Sequence, residues 1–600
     1  MLKKHPIEWR ECAQGILHPF FSCSVAWPES YPEGHILYLV DFERMLGLQQ
    51  HESSIGPRLT RAAQSIVRYL QIGNSDYLAQ WYDAFPFCCR ENAFIFPFFD
   101  EVVASESATA AVTQLHVLMN GTGYDKAHFL ERAHRLLEDA RERIVRIAPR
   151  EGVARVLIRA RQRGIPVSRH AKMAPVYRFG NGYLQQRIWR GYTSNTSHIA
   201  TVLSTQKHLT AQLLREYGLP APQNYPVEDL AHARKAASLI GYPVVVKPSS
   251  TDFGTAVSIG INNDTELSHA FSVARKFGVV LVEKHIDGHD FRLHVVNDRC
   301  VGVIRRDPPT LVGNGVDSVE TLIARMTMLR TQDPELQRYK PVSIEDPLVR
   351  SALQRQKLTI KSVAEKGQMI RLRDNANVST GGVATLVTSE AHPDNLRLAE
   401  RAASCLGLDV AGVDFISRDI SVSWRENGGV ICEVNPNPGI SHLDAEKFLL
   451  DYLFSDHSCG RIPVVVIVGK KAHTLVFSDL LHELARSKNL VIGHVASGLA
   501  RIGEWPISGR EQSCSELLFL VLAASETQFV TVEVSPSELL HNGLNIGYCT
   551  LAVLCCGDKL IENICSSTRS VISAADTILT RPSVEQLTRW FERSISIADK

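Results

Sequence analysis

Apolar and polar positions change period several times along this chain, and each change marks an element. Short β-branched runs bounded by turn residues predict strands. They occur in YPVVVKPSS (242–250), in VVLVEKHIDG (279–288, running into a turn) and in DFRLHVVNDRCVGVIRRD (290–307). The last reads as two strands joined at Asn297-Asp298, and GLDVAGVDFISRDI (407–420) with GGVICEVNPNPG (428–439) reads as another strand pair. Three- and four-residue apolar spacing predicts helices over 127–148, 206–220 and 393–408. Near the N-terminus, HILYLVDF (35–42) alternates, and an aromatic stretch over 94–103 reads as core. RIPVVVIVGKK (461–471) is a buried-type strand followed at once by a helical pattern over 473–489, the layout of a nucleotide-binding βα unit.

These elements fall into three blocks: 1–165, 166–458 and 459–600. At roughly 100–200 residues per domain, 600 residues fit that number. The fold class expected is multidomain α/β (α+β). Hydrophobic residues at 44% and charged residues at 22% exclude a largely disordered chain. Lys+Arg at 65 against Asp+Glu at 64 argue against a generic nucleic-acid binder. No apolar run approaches the roughly 18 residues of a membrane span. The N-terminal segment has no continuous apolar stretch of the secretory kind. Thirteen cysteines without a CxxC pair read as reduced thiols in a cytoplasmic protein.

Candidate chemistry concentrates in the middle block. Asp414 lies on an apolar strand, while Glu433 and Asn435, two apart on another, share a face. Two carboxylates and an amide oxygen are hard ligands suited to magnesium that also contacts phosphate. Lys247 ends an apolar strand, where an ammonium calls for an anion. The Ser/Thr/Gly loop 249–257 follows it and can cradle phosphates through backbone N–H groups. Glu283 ends a strand, and Lys207 opens a helix.

The order Lys207, Lys247, loop, Glu283, Arg292, Asp414, Glu433-x-Asn435 resembles an ATP-grasp carboxylate–amine ligase. More specifically, RGYTSNTSHIA (190–200), GNGVDSVETLI (313–323), LRDNANVSTGG (372–382) and GVICEVNPNPG (429–439) resemble the ATP-grasp region of the cyanophycin synthetase family. The likeness runs continuously over about 160–455. Fused bacterial glutathione synthetases are the nearest competing family, with a loop close to STDFG here. The resemblance implies ATP and Mg2+ and an acyl-phosphate route to an amide. Lys207, Lys247, Ser249, Ser250, Thr251 and Gly254 would bind phosphates. Glu283, Lys284, Ile286 and Asp290 would hold adenine and ribose, and Asp414, Glu433 and Asn435 the metal. Arg292 would stabilise the acyl-phosphate, with Asn377, Ser379, Thr380, Gly381 and Gly382 lining the acceptor end. Lys247, Arg292 and Ser379 are the catalytic candidates, and Ser194 and Ser197 would approach a growing chain.

The sequence also departs from that family. Phe253 and Thr255 stand where its phosphate loop has His and Arg, and Asp374 where a basic or neutral residue is common. The third block resembles a truncated Mur-ligase-like domain: Gly469 and Thr474 remain, but His473 replaces the loop lysine and Ala472 an inner glycine. A neutral His and a crowding Cβ both argue against a nucleotide there. The expectation is the truncated type known as cyanophycin synthetase 2, which polymerises β-Asp-Arg dipeptides from a single ATP site. Its partners would be a dipeptide or amino acid and a peptide-polymer primer, with no nucleic acid and no membrane, in a homodimer or higher homo-oligomer. A single small amide product, as in glutathione formation, and a non-catalytic partner of a full synthetase are the alternatives.

Overall fold

The computed structural model describes the chain apart from residues 1, 5–7, 12–16, 26, 28–44, 47–54, 74, 86–87, 91–92, 121–124, 172–173, 250–255, 333–340, 374–375, 377–380, 440–443, 455–458, 509–511, 567–574 and 596–600. The alternating run 35–42 therefore lies outside the described residues. The chain divides into two compact units, 191–452 and the pair of segments 1–190 and 453–600.

Among the described residues the 191–452 unit is built on two antiparallel sheets of four and five strands, with a further two-stranded pairing of Thr310–Val312 with Met369–Arg371. Its first helices are α1 (His198–Thr205) and α2 (Lys207–Glu216). The first sheet has β1 (Asn224–Val227), β2 (Val244–Pro248), β3 (Ser258–Ile261) and β4 (Val280–Lys284), in the order β1-β4-β2-β3. Val244, Val246, Val280 and Val282 face a core completed by Ala233 and Ala237 of the helix Leu230–Ile240 and by Leu267 and Ala274 of Asp264–Ala274. The second sheet has β5 (His289–Val296), β6 (Arg299–Asp307), β7 (Val383–Leu386), β8 (Val410–Ser417) and β9 (Val430–Asn435), in the order β7-β6-β5-β8-β9. Its apolar face (Phe291, Leu293, Val413, Phe415, Val434) packs on Leu398, Ala402 and Leu406 of the helix Pro393–Leu406. The β5–β6 turn is the predicted one: Asn297 and Asp298 both take positive φ, at 48° and 57°, which a tight hairpin requires of its two central residues.

The other unit joins the two ends of the sequence. In the N-terminal segment the strand Leu17–Val25 pairs with Ala93–Pro97, and the predicted long helix runs Lys126–Ile147. The aromatic stretch splits into that second strand and the start of the helix Glu101–Met119. Residues 166–190, read above with the central block, form the antiparallel strands Val167–Ala171, Ala174–Phe179 and Gln186–Trp189. Their packing is on the C-terminal segment: Asn181 N donates to Gly460 O at 2.8 Å, and Asn181 Nδ2 to the Tyr548 hydroxyl at 3.1 Å.

Among its described residues the C-terminal segment forms a seven-stranded mixed sheet with flanking helices. Strand β10 (Val464–Gly469) lies at its heart, parallel to β11 (Phe529–Val534) on one side and to Cys549–Cys555 on the other. Every residue of β10 from Val464 to Val468 is fully buried, which is why the run shows no alternation: a parallel strand is covered on both faces. Helix α3 (Lys471–Ser487) follows it directly.

Candidate active site

Strand register places the charged side chains. On the second sheet Arg292 lies directly opposite Asp414, Asp414 directly opposite Glu433, and Asp290 directly opposite Arg306. Positions two apart on a strand share a face, so all five project from the same one. Arg292 forks onto Asp414, through Nε to Oδ1 and through Nη2 to Oδ2 at 3.0 Å. Arg306 spans the strand between them, with Nη2 at 2.5 Å from Asp290 Oδ1 and 3.1 Å from Asp414 Oδ1. Asn435 Nδ2 approaches Asp414 Oδ2 at 3.4 Å. Lys207, at the start of α2, reaches Glu433 Oε1 at 3.0 Å.

On the first sheet Lys247 and Glu283 sit diagonally across the β2–β4 ladder. Lys247 Nζ donates to Glu283 Oε1 at 2.7 Å, with both residues buried. The two sheets share one electrostatic field, because Glu433 acts on Lys247, and the charges on Lys247, Glu283, Asp290 and Asp414 all act on Cys432. Each of the four carboxylates, Glu283, Glu433, Asp414 and Asp290, thus lies against a cation.

The protonation equilibria follow from this pairing. Burial works against the Lys247 charge, but Glu283 outweighs it with help from Cys432 and Glu433, and the ammonium rises above its ordinary value. Burial would raise Asp414, yet Arg292 and Arg306 hold it below the usual carboxylate range. Asp290 goes the other way: burial and then the Asp414 charge exceed what Arg306 and Arg292 return, and it is raised. Burial, reinforced by Glu283, pushes the Cys432 thiol far up, so it is no nucleophile at neutral pH.

Ser249 is half-buried, its N–H given to Val279 O at 2.8 Å, whereas Ser250, Thr251, Phe253, Gly254 and Thr255 lie outside the described residues. The N–H groups of Lys284 and His285 are engaged by Gln223 O and Pro243 O, so neither is open to a base edge. Ile286 is half-buried in the segment after β4. Asp374, Asn377, Ser379 and Thr380 are also outside the described residues. Gly381 and Gly382 are buried, and the guanidinium of Arg330 donates to Gly381 O at 3.0 Å. Ser194 and Ser197 are exposed. The segment carrying them is tied down: Thr193 and Thr196 both donate to Asp409, the latter at 2.7 Å, and Gly191 N donates to Asn437 Oδ1 at 2.8 Å.

Sequence reasoning missed Arg306, which is bonded to two of the candidate carboxylates, Asp290 and Asp414. It also missed Gly412. A Cβ there would lie 2.9 Å from Arg292 Cδ, Arg292 Nη1 and Pro438 Cβ, so the glycine makes room for the Arg292 guanidinium.

Among the described residues no three His, Cys, Asp or Glu side chains gather as a metal cluster does. Two carboxylates facing one another across β8 and β9, with the Asn435 amide beside Asp414, nonetheless match a hard divalent ion that shares its shell with phosphate and water. Buried Lys247 and half-buried Lys207 match the phosphates.

The third block has a different interior. Thr474, in the first turns of α3, donates to Glu533 Oε2 of β11 at 2.5 Å and is buried. His473 is exposed.

Residues 206–308 match the family described as carbamoyl-phosphate synthase L chain, ATP binding domain. A cyanophycin synthetase of Geminocystis herdmanii is 31% identical over 391 residues, 62% of this chain and 44% of that protein. The glutathione biosynthesis bifunctional protein GshAB of Clostridium perfringens is 30% identical over 284 residues, 44% of this chain and 36% of that one. The crystal structure of a bifunctional glutathione synthetase from Pasteurella multocida is 17% identical with a TM-score of 0.40, covering 74% of this chain and 82% of that one. The chain spans about half the length of the curated relatives it matches. It is a multidomain α/β protein with an ATP-grasp domain and a C-terminal mixed sheet, distantly related to cyanophycin synthetases and to bifunctional glutathione-synthesis proteins. No helix among the described residues is long and apolar enough to cross a membrane.

Proposed function

We propose that this chain is an ATP-dependent carboxylate–amine ligase that extends a peptide polymer from β-Asp-Arg dipeptides, using one ATP site between the two sheets of residues 191–452. The observation that carries the reading is the path of side chains on one face of the second sheet, in which Lys207 pairs with Glu433, Arg292 and Arg306 with Asp414, and Arg306 with Asp290, with the buried Lys247–Glu283 pair on the first sheet. Such a path exchanges partners when a polyanion and a divalent cation enter together: phosphates take the cations and the metal takes the carboxylates.

In the proposed reaction an acceptor carboxylate oxygen attacks the γ-phosphorus, and the bond to the ADP oxygen breaks. The amine of the next unit then attacks the acyl carbon, and inorganic phosphate leaves as the amide forms. Lys207 and Lys247 would hold the phosphates. The two-pronged guanidinium of Arg292 suits the planar acceptor carboxylate and the charge that develops on it. Asp414, Glu433 and Asn435 would hold Mg2+, which supplies charge neutralisation on the transferring group. The third block would take no nucleotide of its own, because Thr474 is occupied by Glu533 and His473 brings no fixed charge. The active species would be a homodimer or higher homo-oligomer acting on a peptide primer.

The test is phosphate release from ATP and Mg2+ by the purified chain, with mass spectrometry of products. The substrates are β-Asp-Arg with primer, Asp plus Arg, other β-Asp dipeptides, and γ-Glu-Cys plus Gly. A ladder spaced by β-Asp-Arg is the expected result. One discrete product from another pair would replace the polymer reading with a single-ligation one. ATP binding without release on any pair would favour a non-catalytic partner.

A further inference from the structure

We propose that Arg306 is a positioning residue that makes metal loading depend on the nucleotide. By bonding Asp290 and Asp414 together, it keeps both carboxylates neutralised until phosphates arrive to draw the guanidinium groups away. The inference deepens the ligase reading and rests on its assignment of Asp414 to the metal.

The geometry is specific. Arg306 sits on β6, opposite Asp290 on β5, and its Nη2 reaches past β5 to Asp414 on β8. Arg292 grips the same Asp414 from the strand between. Asp414 thus carries contacts from two guanidinium groups, and its side chain is only 14% exposed, which leaves little room for water to screen them. A divalent cation alone would have to approach the two guanidinium groups on Asp414 and the Lys207 ammonium on Glu433 at close range, so in this partly desolvated site both carboxylates are already neutralised before it arrives. Phosphates change the balance, because a guanidinium bonds a phosphate oxygen as readily as a carboxylate. Arg306 differs in kind from Arg292: it is bonded to two carboxylates and so sets their spacing, whereas Arg292 is bonded to one.

The test is Mn2+ binding followed by electron paramagnetic resonance of the free ion, on full-length wild type, Arg306→Met and Arg306→Lys, each with and without ADP. Folding is checked by circular dichroism. Wild type is expected to bind Mn2+ tightly only with ADP. Arg306→Met should bind Mn2+ without ADP roughly tenfold or more tightly than wild type does. Arg306→Lys, which keeps the charge, should retain the ADP requirement. Equal Mn2+ affinity of wild type with and without ADP overturns the proposal, even if Arg306→Met fails to fold. So does an Arg306→Met protein whose ADP-free affinity is unchanged. Absence of Mn2+ binding by wild type with ADP would instead overturn the metal assignment of the ligase reading.

Discussion

Lys247 and Glu283 form a 2.7 Å ion pair in the interior of the β2–β4 ladder, where Lys247 is 8% and Glu283 6% exposed. The lysine is therefore both a phosphate candidate and half of a buried structural pair.

Lys247→Ala should abolish ligation and destabilise the protein by about 3–5 kcal/mol, because it strands a buried carboxylate. Adding Glu283→Gln should return much of that stability without returning activity. Denaturant midpoints and ADP release on the two variants check this; a single variant as stable as wild type would remove the pair from the structural account.

Glu433→Gln should separate the two roles. Its Lys207 partner lies at 3.0 Å and its own side chain is 26% exposed, so the loss in stability is about 1 kcal/mol or less. Under the proposed metal assignment, turnover should disappear. Melting temperature and phosphate release, measured side by side, decide it.

Asp414 and Asp290 should respond oppositely to pH. The carboxyl of Asp414 is held below its ordinary value, so its stabilising contribution is complete above about pH 4 and fades as pH falls through the lowered value. Asp290 is raised, so its ionised form opposes folding at neutral pH, and acidification through that value relieves the cost. Asp414→Asn should therefore cost more stability at pH 7 than Asp290→Asn, by roughly 2 kcal/mol. The gap should close in strong acid, as denaturation curves across pH would show.

Gly412→Ala should lower kcat while leaving ATP affinity near wild type. The new Cβ would push the Arg292 guanidinium, 2.9 Å away, off Asp414 without touching Lys207 or Lys247. Steady-state kinetics beside a nucleotide titration separate the two effects, and an equal loss in both would place Arg292 at the nucleotide instead.

In the third block, His473→Ala should change neither turnover nor stability beyond about 0.5 kcal/mol, since its side chain is exposed. Thr474→Val should cost about 1.5–3 kcal/mol by removing the hydroxyl that serves the buried Glu533. Thermal denaturation and turnover of the folded fraction test both.

Much of this was legible in the sequence for local reasons. The β-branched runs, the Asn297-Asp298 turn and the spacing of Glu433 and Asn435 fix strands, a hairpin and a shared face. Arg306 was not legible, and the reason is one residue wide. Counted outward from the turn, Val296 faces Arg299 and Val295 faces Cys300, a ladder that would set Arg305 opposite Asp290. A bulge between His294 and Val295 shifts the register by one and brings Arg306 there instead, leaving Arg305 to bond Asp307 at 3.0 Å. The placement of residues 166–190 was hidden for a different reason. Gly182 is needed because any Cβ would lie 2.0 Å from Thr527 O, a contact between residues hundreds of positions apart that no local pattern announces.

That long-range contact has a consequence for how the protein is made. The Asn181–Tyr548 bond joins residues 367 positions apart, and the whole ATP-grasp unit is threaded between them. During synthesis the segment 166–190 leaves the ribosome well before the surface that will cover it exists. Residues 191–452, a compact unit, can fold in the interval. The unit built from both ends can close only afterwards, at the entropic cost of a very long loop that the folded insert shortens. Chains stalled beyond residue 452 should therefore show a protease-resistant ATP-grasp unit flanked by a cleavable N-terminal segment.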